Sequence, residues 1–269
     1  MSIGENIRRA REARGLTQQN VADEMETSFQ SVSNWERDVD RPEFDKLLKL
    51  LEILNVEPRV ILTKNRPEFK TRDQFFDVEH MKTFVKAGCR TENTMKAVEF
   101  AFDKHQGVTR KNTTVPYIYH PLILACHALA LGVTDDAIIS ACMLHDVVED
   151  CNVSATELPV DEETREIVSL LTKPEDMKDD NRSQKLKLYY DKIGSNPKAA
   201  FIKCLDRCNN LSTLSWGLKK ERQYRMIKET EEYYPRLLKV LKNTTEFNNA
   251  AWLLKYQMET ILDIYKRVL

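Results

Sequence analysis

Four ionisable side chains fall within six residues, in the segment HDVVED at positions 145–150. They are His145, Asp146, Glu149 and Asp150, and they directly follow residues 137–144, an apolar run typical of a buried helix. Carboxylates that enter a protein interior are costly unless a partner neutralises them. On a helix that continues through the segment, His145 would stack under Glu149 and Asp146 under Asp150. The spacing predicts a bound cation, for which a metal ion is the simplest choice.

Two isolated residues could complete a metal site. His120 precedes a proline at the start of a predicted helix, and Asp206 lies in a later apolar helix beside Arg207. Each also has an ordinary explanation, since a histidine before proline is commonly satisfied within a turn and an aspartate beside arginine commonly forms an ion pair. With His145 and Asp146 they offer two nitrogens and two oxygens, which suit Mn²⁺, Fe²⁺ or Zn²⁺ better than Ca²⁺ or Mg²⁺. Because no cysteine belongs to the set, a structural zinc site is not expected.

The elements that carry these residues are predicted to be helical. Glycine is scarce, at 7 of 269 residues, and apolar residues recur at helical spacing, which indicates an all-α protein of one large or two smaller domains. In the second part of the chain, helices are predicted near residues 91–105, 119–131, 134–149, 161–172, 182–192, 197–213, 217–242 and 246–267.

Composition excludes some classes of protein. No apolar run reaches the length of a membrane span, and the N-terminus lacks an apolar signal core, so we expect a cytoplasmic protein that does not enter the membrane. The six cysteines are scattered and are expected to be buried thiols. The net charge is −1, so bulk charge gives no argument for nucleic-acid binding.

The N-terminal segment predicts a small bundle of short helices. A first amphipathic helix spans residues 3–14, and Thr17 caps a second one, although Asn20 stands where a complete capping box has Glu or Gln. A third helix starts near residue 29, and a fourth follows Pro42 with Phe44 on its apolar face. Short helices with a tight turn between the second and third are helix-turn-helix geometry. We therefore divide the chain into a helix-turn-helix domain at 1–63, a charged linker at 64–80 and a larger domain at 81–269.

The run GLTQQNVADEMETSFQSVSNWERDVDRP resembles the Cro/C1-type (XRE) phage-repressor family. This resemblance implies that the third helix enters the major groove of DNA and that certain polar side chains reach bases or phosphates. Those side chains are Gln18, Gln30, Ser33, Asn34 and Arg37. The alternative is an interaction or dimerisation module that kept the fold and lost DNA, because residues 1–64 carry 10 Lys and Arg against 12 Asp and Glu, a balance of −2.

Three stretches of the larger domain resemble the hydrolase domain of the RelA/SpoT family, a branch of the HD-domain phosphohydrolases. RKNTTVPYIYHPL resembles R-K-x-G-x-P-Y-x-x-H-P, HDVVED matches H-D-x-x-E-D, and LDRCNNLSTL resembles A-D-R-x-x-N-x-x-T-L. The likeness covers roughly residues 90–242. It departs from the family in the loop between Lys111 and Pro116, which is one residue longer and lacks the glycine, so the identity of the nucleotide is open.

The resemblance implies a small, hydrolase-only alarmone enzyme that removes the 3′-diphosphate from ppGpp or pppGpp. One Mn²⁺ per chain would be held by His120, His145, Asp146 and Asp206. Glu149 and Asp150 would orient and deprotonate water. The substrate would be bound by Arg110, Lys111, Asn210 and Thr213.

Other functions stay open at this point. One is an HD hydrolase of another nucleotide, such as an adenine alarmone, although a plain monophosphatase would not need the cationic loop at Arg110 and Lys111. Another is a regulator that senses an alarmone without turnover, although such a sensor has no reason to keep both Glu149 and Asp150. Because a repressor-type head needs two copies on DNA, we also expect a homodimer, with contacts supplied by the hydrolase domain or by the apolar surface of the long C-terminal helices.

Overall fold

The computed structural model describes residues 2–56, 58–62, 77–110, 115–174, 181–214 and 220–268. Within these ranges the structure is helical without a named strand, and a single isolated bridge pairs Thr109 with Pro116. The predicted all-α fold class is therefore confirmed. No helix within these ranges is both long and apolar enough to cross a membrane.

The chain divides into two compact units, residues 1–73 and 74–269. Residues 64–76, which are most of the linker predicted at 64–80, lie outside the described residues, and the domain boundaries at 63 and 80 stay predictions. Each unit has its own apolar core.

Unit 1 contains five short helices: α1 Ile3–Ala13, α2 Gln18–Glu24, α3 Phe29–Glu36, α4 Phe44–Leu54 and α5 Pro58–Leu62. Its core gathers apolar side chains from all of them, among them Ile7, Val21, Val32, Trp35, Leu50, Leu54 and Ile61. Gly4 allows α1 to pack closely, because a Cβ at this position would lie 2.4 Å from the carbonyl oxygen of Trp35.

Two local expectations for unit 1 were wrong. The capping box at Thr17 is complete, because the Asn20 side-chain oxygen accepts the backbone N–H of Thr17 at 2.9 Å and thus replaces the expected Glu or Gln. Phe44 starts α4 with 72% of its surface exposed, so the apolar face of that helix is carried by residues further along, such as Leu50 and Leu54.

Unit 2 is a larger bundle. Its helices are α6 Val78–Gly88, α7 Glu92–Lys104, α8 Tyr119–Ala130, α9 Asp136–Leu144, α10 Val147–Asp150, α11 Glu162–Leu171, α12 Arg182–Gly194, α13 Pro197–Ser212, α14 Lys220–Lys242 and α15 Asn248–Val268. Short 3₁₀ turns at Ala155–Glu157 and Thr245–Phe247 connect neighbouring helices. The helix α6 was missed, because its first residues fall in the charged segment assigned to the linker.

The centre of unit 2 is α13, which packs against α8, α9, α11, α12, α14 and α15. The side chains of its middle turns are almost wholly buried, including the polar residues Lys203, Asp206, Arg207 and Asn209. Buried polar groups are costly unless they are hydrogen-bonded or ion-paired. We therefore expect these four side chains to have partners inside the bundle.

The helix predicted at 134–149 is interrupted. The helix α9 ends at Leu144, and α10 begins only at Val147, so His145 and Asp146 lie in the break between them. The expected stacking of His145 under Glu149 along one continuous helix is therefore wrong. The break directs His145 and Asp146 toward α8 and α13 instead.

Candidate active site

Four elements of unit 2 bring the predicted metal ligands together. His120 lies in the first turn of α8, His145 caps the C-terminus of α9, Asp146 follows it, and Asp206 lies in the middle of α13. His120 and His145 are each 2% exposed and Asp206 is 6% exposed. Residues far apart in sequence thus meet in the interior.

The ligand atoms of these residues converge on one point. The two histidine Nε2 atoms are 3.2 Å apart, and Asp206 Oδ1 lies 3.2 Å from that of His120. Asp146 Oδ2 lies 3.1 Å from His145 Nε2 and 3.4 Å from His120 Nε2. In particular His120, His145 and Asp206 form a group whose ligand atoms all lie within 4.8 Å of one another.

Hydrogen bonds fix which nitrogen of each histidine faces this point. His145 Nδ1 lies 2.9 Å from the carbonyl oxygen of Cys142, and His120 Nδ1 lies 2.7 Å from the side-chain oxygen of Asn209. Both partners are acceptors, so each Nδ1 carries a proton and each Nε2 is directed inward, where its lone pair can bind a cation. Two lone pairs and two carboxylates that face one another fit a divalent cation.

The carboxylates at this point also favour a bound cation. Burial alone would lower the pKa of His120, but hydrogen bonds to Asp146 and Asp206 raise it to about 9. Burial alone would raise the pKa of Asp206, but Lys203 and His120 lower it far below its ordinary range. The carboxylates are thus held ionised in a buried site, where a cation stabilises them.

A cavity of about 520 Å³ opens beside the centre. Its walls carry cationic side chains as well as acids, and they include Arg110, Lys173, Arg182, Lys203, Arg207, Arg222 and Arg225. Such a mixture suits an anionic ligand whose charge is bound opposite a metal.

The predicted acid pair lines the same cavity, so Glu149 and Asp150 lie near the metal ligands although the helix is broken. One oxygen of Glu149 accepts the backbone N–H of Lys173 at 2.6 Å. Burial raises the pKa of Glu149, and the Lys173 hydrogen bond and the charge of Lys203 oppose this only in part. A carboxylate with a raised pKa in a cavity is suited to accept a proton.

Three of the four residues predicted to bind substrate contact one another. Arg110 donates to the side-chain oxygens of Asn209 and Asn210 at 3.3 Å each, and to the Thr213 hydroxyl at 3.4 Å. Arg110, Asn210 and Thr213 all line the cavity. The fourth, Lys111, lies outside the described residues.

The sequence did not single out several other residues of the site. Tyr117 donates its hydroxyl proton to Asp146 Oδ2 at 2.6 Å, and Lys203 Nζ lies 3.2 Å from Asp206 Oδ2. Tyr117 stands inside the quoted segment RKNTTVPYIYHPL, and Lys203 stands two residues before the quoted segment LDRCNNLSTL. The spacing of one helical turn between Lys203 and Asp206 was a signal for their contact, whereas Tyr117 contacts Asp146, 29 residues away, for which the sequence carried no signal.

The ordinary explanation for Asp206, an ion pair with Arg207, does not hold. Arg207 instead donates to Glu229 Oε1 at 2.5 Å and to the Tyr190 hydroxyl at 3.2 Å. Its charge lowers the pKa of Glu229 to about 2, although burial alone would raise it. Glu229 on α14, to which the sequence assigned no role, therefore neutralises the arginine next to the predicted metal ligand Asp206.

The residues predicted to contact DNA lie at the start of α2 and along α3, in unit 1: Gln18, Gln30, Ser33, Asn34 and Arg37. Gln30 and Arg37 are exposed, and both hydrogen-bond to the Asn34 side-chain oxygen, at 3.0 and 2.8 Å. Gln18 is held by Glu36, to which its amide donates at 2.6 Å. Their role in DNA binding stays a prediction.

Comparison with known protein families gives one match in each of the two units. Residues 7–61 match the family described as helix-turn-helix, and residues 97–239 match the family described as HD domain. The second match covers more than half of the chain. The chain belongs to the HD domain family. Its relatives confirm the resemblance to RelA/SpoT-type hydrolase domains.

Curated relatives of this HD domain chain carry the name guanosine-3′,5′-bis(diphosphate) 3′-pyrophosphohydrolase. The one from Aquifex aeolicus is 31% identical over 173 residues, which are 62% of this chain and 23% of that protein. The chain thus spans under a quarter of that relative's length. The relative named MESH1 from Xenopus tropicalis is 31% identical over 144 residues, which are 48% of this chain and 77% of that protein.

A solved structure shows the same fold. It is described as a metazoan ortholog of SpoT that hydrolyzes ppGpp, and it superimposes with a TM-score of 0.51 at 20% identity. The match covers 65% of this chain and 96% of the other.

Proposed function

We propose that the cavity is the active site of a phosphohydrolase that removes the 3′-diphosphate from ppGpp or pppGpp and releases GDP or GTP and pyrophosphate. The observation that supports this most is the meeting of two histidine Nε2 atoms, Asp146 and Asp206 at the floor of a cavity that also contains Glu149 and Arg110. The names of the curated relatives support the choice of nucleotide.

A divalent cation is implied by the HD domain, and we propose one Mn²⁺ per chain. It would be held by His120, His145, Asp146 and Asp206, an N₂O₂ set that Mn²⁺ accepts readily. When bound, the ion supplies Lewis acidity toward a phosphoryl oxygen and toward water.

The remaining chemistry falls to the side chains of the cavity. Glu149, or Asp150 beside it, accepts a proton from the attacking water. The water oxygen forms a bond to the phosphorus next to the ribose 3′-oxygen, and the bond between that phosphorus and the 3′-oxygen breaks. The 3′-oxygen takes up the proton that the carboxylate accepted from the water. The products are a 3′-hydroxyl and pyrophosphate, so atoms and charge balance.

Arg110 is proposed to bind the nucleotide together with Asn210 and Thr213. Its guanidinium can form a bidentate contact with phosphate, and such charge-assisted hydrogen bonds are stronger than its contacts with the neutral side-chain oxygens of Asn210 and Thr213. Lys111, the next residue, would add a point charge.

Unit 1 is proposed to bind DNA, and the chain to form a homodimer. A repressor-type head binds one half-site, so two copies are needed for useful affinity.

Three side chains of α15 form an exposed apolar surface. Trp252, Tyr256 and Ile264 are 72%, 61% and 55% exposed, and the rings of Trp252 and Tyr256 stack. This apolar surface supports a contact between copies. Light scattering measures the molar mass in solution, and a mass equal to one chain would contradict the homodimer. The cytoplasmic location stays a prediction.

The test of the activity is incubation of purified chain and Mn²⁺ with a panel of nucleotides, followed by separation of products. The panel contains ppGpp, pppGpp, the adenine counterparts and a plain nucleoside monophosphate. We expect GDP or GTP plus pyrophosphate from the first two and slower turnover of the others. Faster turnover of an adenine nucleotide would instead support the alternative substrate, and binding of ppGpp without any product would support the sensing regulator.

A further inference from the structure

Lys203 lies on α13 one turn before Asp206, and its side chain is only 7% exposed. Its ammonium contacts Asp206 Oδ2 at 3.2 Å, while Oδ1 of the same carboxylate faces His120 at 3.2 Å. Lys203 also lines the cavity. The carboxylate of Asp206 therefore separates the lysine from the proposed metal position, with both on the cavity floor.

The surroundings of Lys203 leave its charge unevenly balanced. On the other side of the ammonium lies the ring of Tyr189, whose centroid is 5.6 Å from Nζ. The neighbouring Arg207 has its own partner in Glu229, so these two charges cancel without Lys203. The ion-pair partner of Lys203 within the described residues is Asp206, and a bound dication shares that carboxylate. Positive charge then remains at the cavity wall, where it also acts on the carboxylate of Glu149.

A purely structural lysine is a poor explanation for this arrangement. Asp206 Oδ1 already accepts a hydrogen bond from the Asn210 amide at 2.5 Å, so a neutral donor on α13 can hold the carboxylate. A buried ammonium is costly unless well-placed anionic or hydrogen-bonding partners offset its removal from water. The cavity that it lines is the place where such an anion would bind.

We propose that Lys203 is a catalytic residue that binds a non-bridging oxygen of the phosphoryl group attacked by water, on the far side of Asp206 from the metal. This role rests on the proposed function. Lys203 keeps its proton throughout, and it acts by neutralising the charge that grows on the phosphoryl oxygens as the bond to the 3′-oxygen breaks. The same ammonium then contacts the pyrophosphate product.

The experiment compares Lys203→Met with wild type and with Lys198→Met. Lys198 is a matched control on the same helix, since its ammonium pairs with Asp135 and Glu163 at 2.7 Å each and it does not line the cavity. Three quantities are measured: the Mn²⁺ titration, kcat for ppGpp at saturating Mn²⁺, and the affinity for inorganic pyrophosphate by calorimetry with Mn²⁺ present.

We expect Lys203→Met to reach full Mn²⁺ occupancy, with kcat lowered by roughly 10²–10³-fold and pyrophosphate affinity lowered by about 10-fold or more. Lys198→Met should match wild type. A kcat equal to wild type at saturating Mn²⁺ would overturn the proposal, because Lys203 would then only hold Asp206. If Lys203→Met does not fold, Lys203→Arg replaces it, and we expect pyrophosphate binding to be retained with kcat reduced.

The pyrophosphate measurement separates this proposal from the proposed function. If wild type does not hydrolyse ppGpp but binds pyrophosphate in a manner that Lys203→Met abolishes, the substrate is wrong and the phosphate-binding role of Lys203 stands. If pyrophosphate binding is the same in both chains, the role of Lys203 is wrong whatever the substrate.

Discussion

The side-chain oxygen of Asn209 accepts a hydrogen bond from His120 Nδ1 at 2.7 Å and another from Arg110 Nη1 at 3.3 Å. One amide thus joins a proposed metal ligand to a proposed substrate-binding arginine. Because Arg110 can only donate, the atom that it contacts is the amide oxygen, so His120 Nδ1 donates to the same oxygen and its Nε2 faces the proposed metal position. Asn209 is 6% exposed, so no solvent competes for its oxygen.

Removal of this acceptor should weaken metal binding. In Asn209→Ala the His120 ring loses its partner and its orientation, and Mn²⁺ affinity should fall by about 10–100-fold. Asn209→Asp keeps an oxygen acceptor and should stay much closer to wild type. Isothermal titration of the metal-free chains with Mn²⁺ measures both, and an unchanged affinity in Asn209→Ala would mean that Asn209 does not orient His120.

Removal of Asp206 should abolish the metal site. We expect purified wild type to contain about one transition-metal ion per chain and Asp206→Ala to contain almost none, because one of about four ligands is lost. Asp191→Ala is the matched control, since Asp191 is half-exposed and pairs with Arg236 on the surface. Elemental analysis decides the point: a fully occupied Asp206→Ala chain would remove Asp206 from the ligand set.

The residues of the proposed metal site could be predicted from the sequence, but the backbone geometry that brings them together could not. The residue types of His120, His145, Asp146 and Asp206 indicated a metal because together they offer two nitrogens and two oxygens, a donor set that suits Mn²⁺, Fe²⁺ or Zn²⁺. The break between α9 and α10 could not be predicted, since residues 134–149 have an unbroken helical pattern. It depends on α8 and α13, which draw His145 and Asp146 inward through contacts distant in sequence.

The ion pairs next to the site could not be predicted from the sequence either. Arg207 stands next to Asp206 in the chain, but neighbours on a helix point in different directions, and Arg207 reaches Glu229 on α14 instead. Only the packing of α13 against α14 decides this. Helix ends such as α7, α8 and α11 came within about two residues of prediction, as local capping signals allow.

Glu149→Gln should separate catalysis from binding. The amide keeps the size of the side chain, and its oxygen can still accept the backbone N–H of Lys173. It cannot accept a proton from the attacking water, so turnover should fall by roughly 10²–10⁴-fold. Metal content and ppGpp binding should match wild type. Single-turnover kinetics at saturating substrate compare the two chains, and equal rates would exclude Glu149 as the base.

The pH profile provides a second view of the same group. Burial raises the pKa of Glu149, and the base must be ionised to act. Activity should therefore be complete above this raised pKa and be lost as pH falls through it, at a pH above the ordinary glutamate value of about 4.3. Metal content must be followed over the same range, because loss of the ion would also lower the rate. An acidic limb at or below the ordinary value, with metal retained, would contradict the prediction.

In unit 1 the buried pair of Arg11 and Glu36 should be critical for stability. The guanidinium contacts both oxygens of Glu36, at 2.6 and 3.1 Å, and the Glu36 side chain is 2% exposed. Arg11→Met leaves a buried carboxylate without its charge partner and should destabilise this unit by about 3–5 kcal/mol. Urea unfolding followed by Trp35 fluorescence, with the other two tryptophans replaced by Phe, reports on the unit.

The control for that measurement is Arg8→Met. Arg8 pairs with Glu12 at the surface, where both side chains are half-exposed or more, and its loss should leave the midpoint close to wild type. A similar small effect for Arg11→Met would show that Gln18, which also donates to Glu36, is a sufficient partner.

DNA binding by unit 1 should depend on Arg37 and Gln30 in different ways. Both are exposed beside Asn34 at the surface of α3. If Arg37 contacts phosphate, Arg37→Ala should weaken binding to all sequences alike and reduce the slope of log affinity against log salt by about 1. If Gln30 contacts a base, Gln30→Ala should cost about 1–3 kcal/mol on the specific site only.

Anisotropy titrations on the chain's own upstream DNA, at several salt concentrations, distinguish the two. They are best made in the Glu149→Gln background with and without ppGpp, because the nucleotide then survives. If nucleotide binding influences the dimer, it should change DNA affinity by a coupling free energy of about 1–3 kcal/mol. An affinity indifferent to ppGpp would refute the coupling alone. No binding at low salt, with or without ppGpp, would mean that this helix-turn-helix unit does not bind DNA, as its balance of −2 charges over residues 1–64 allows.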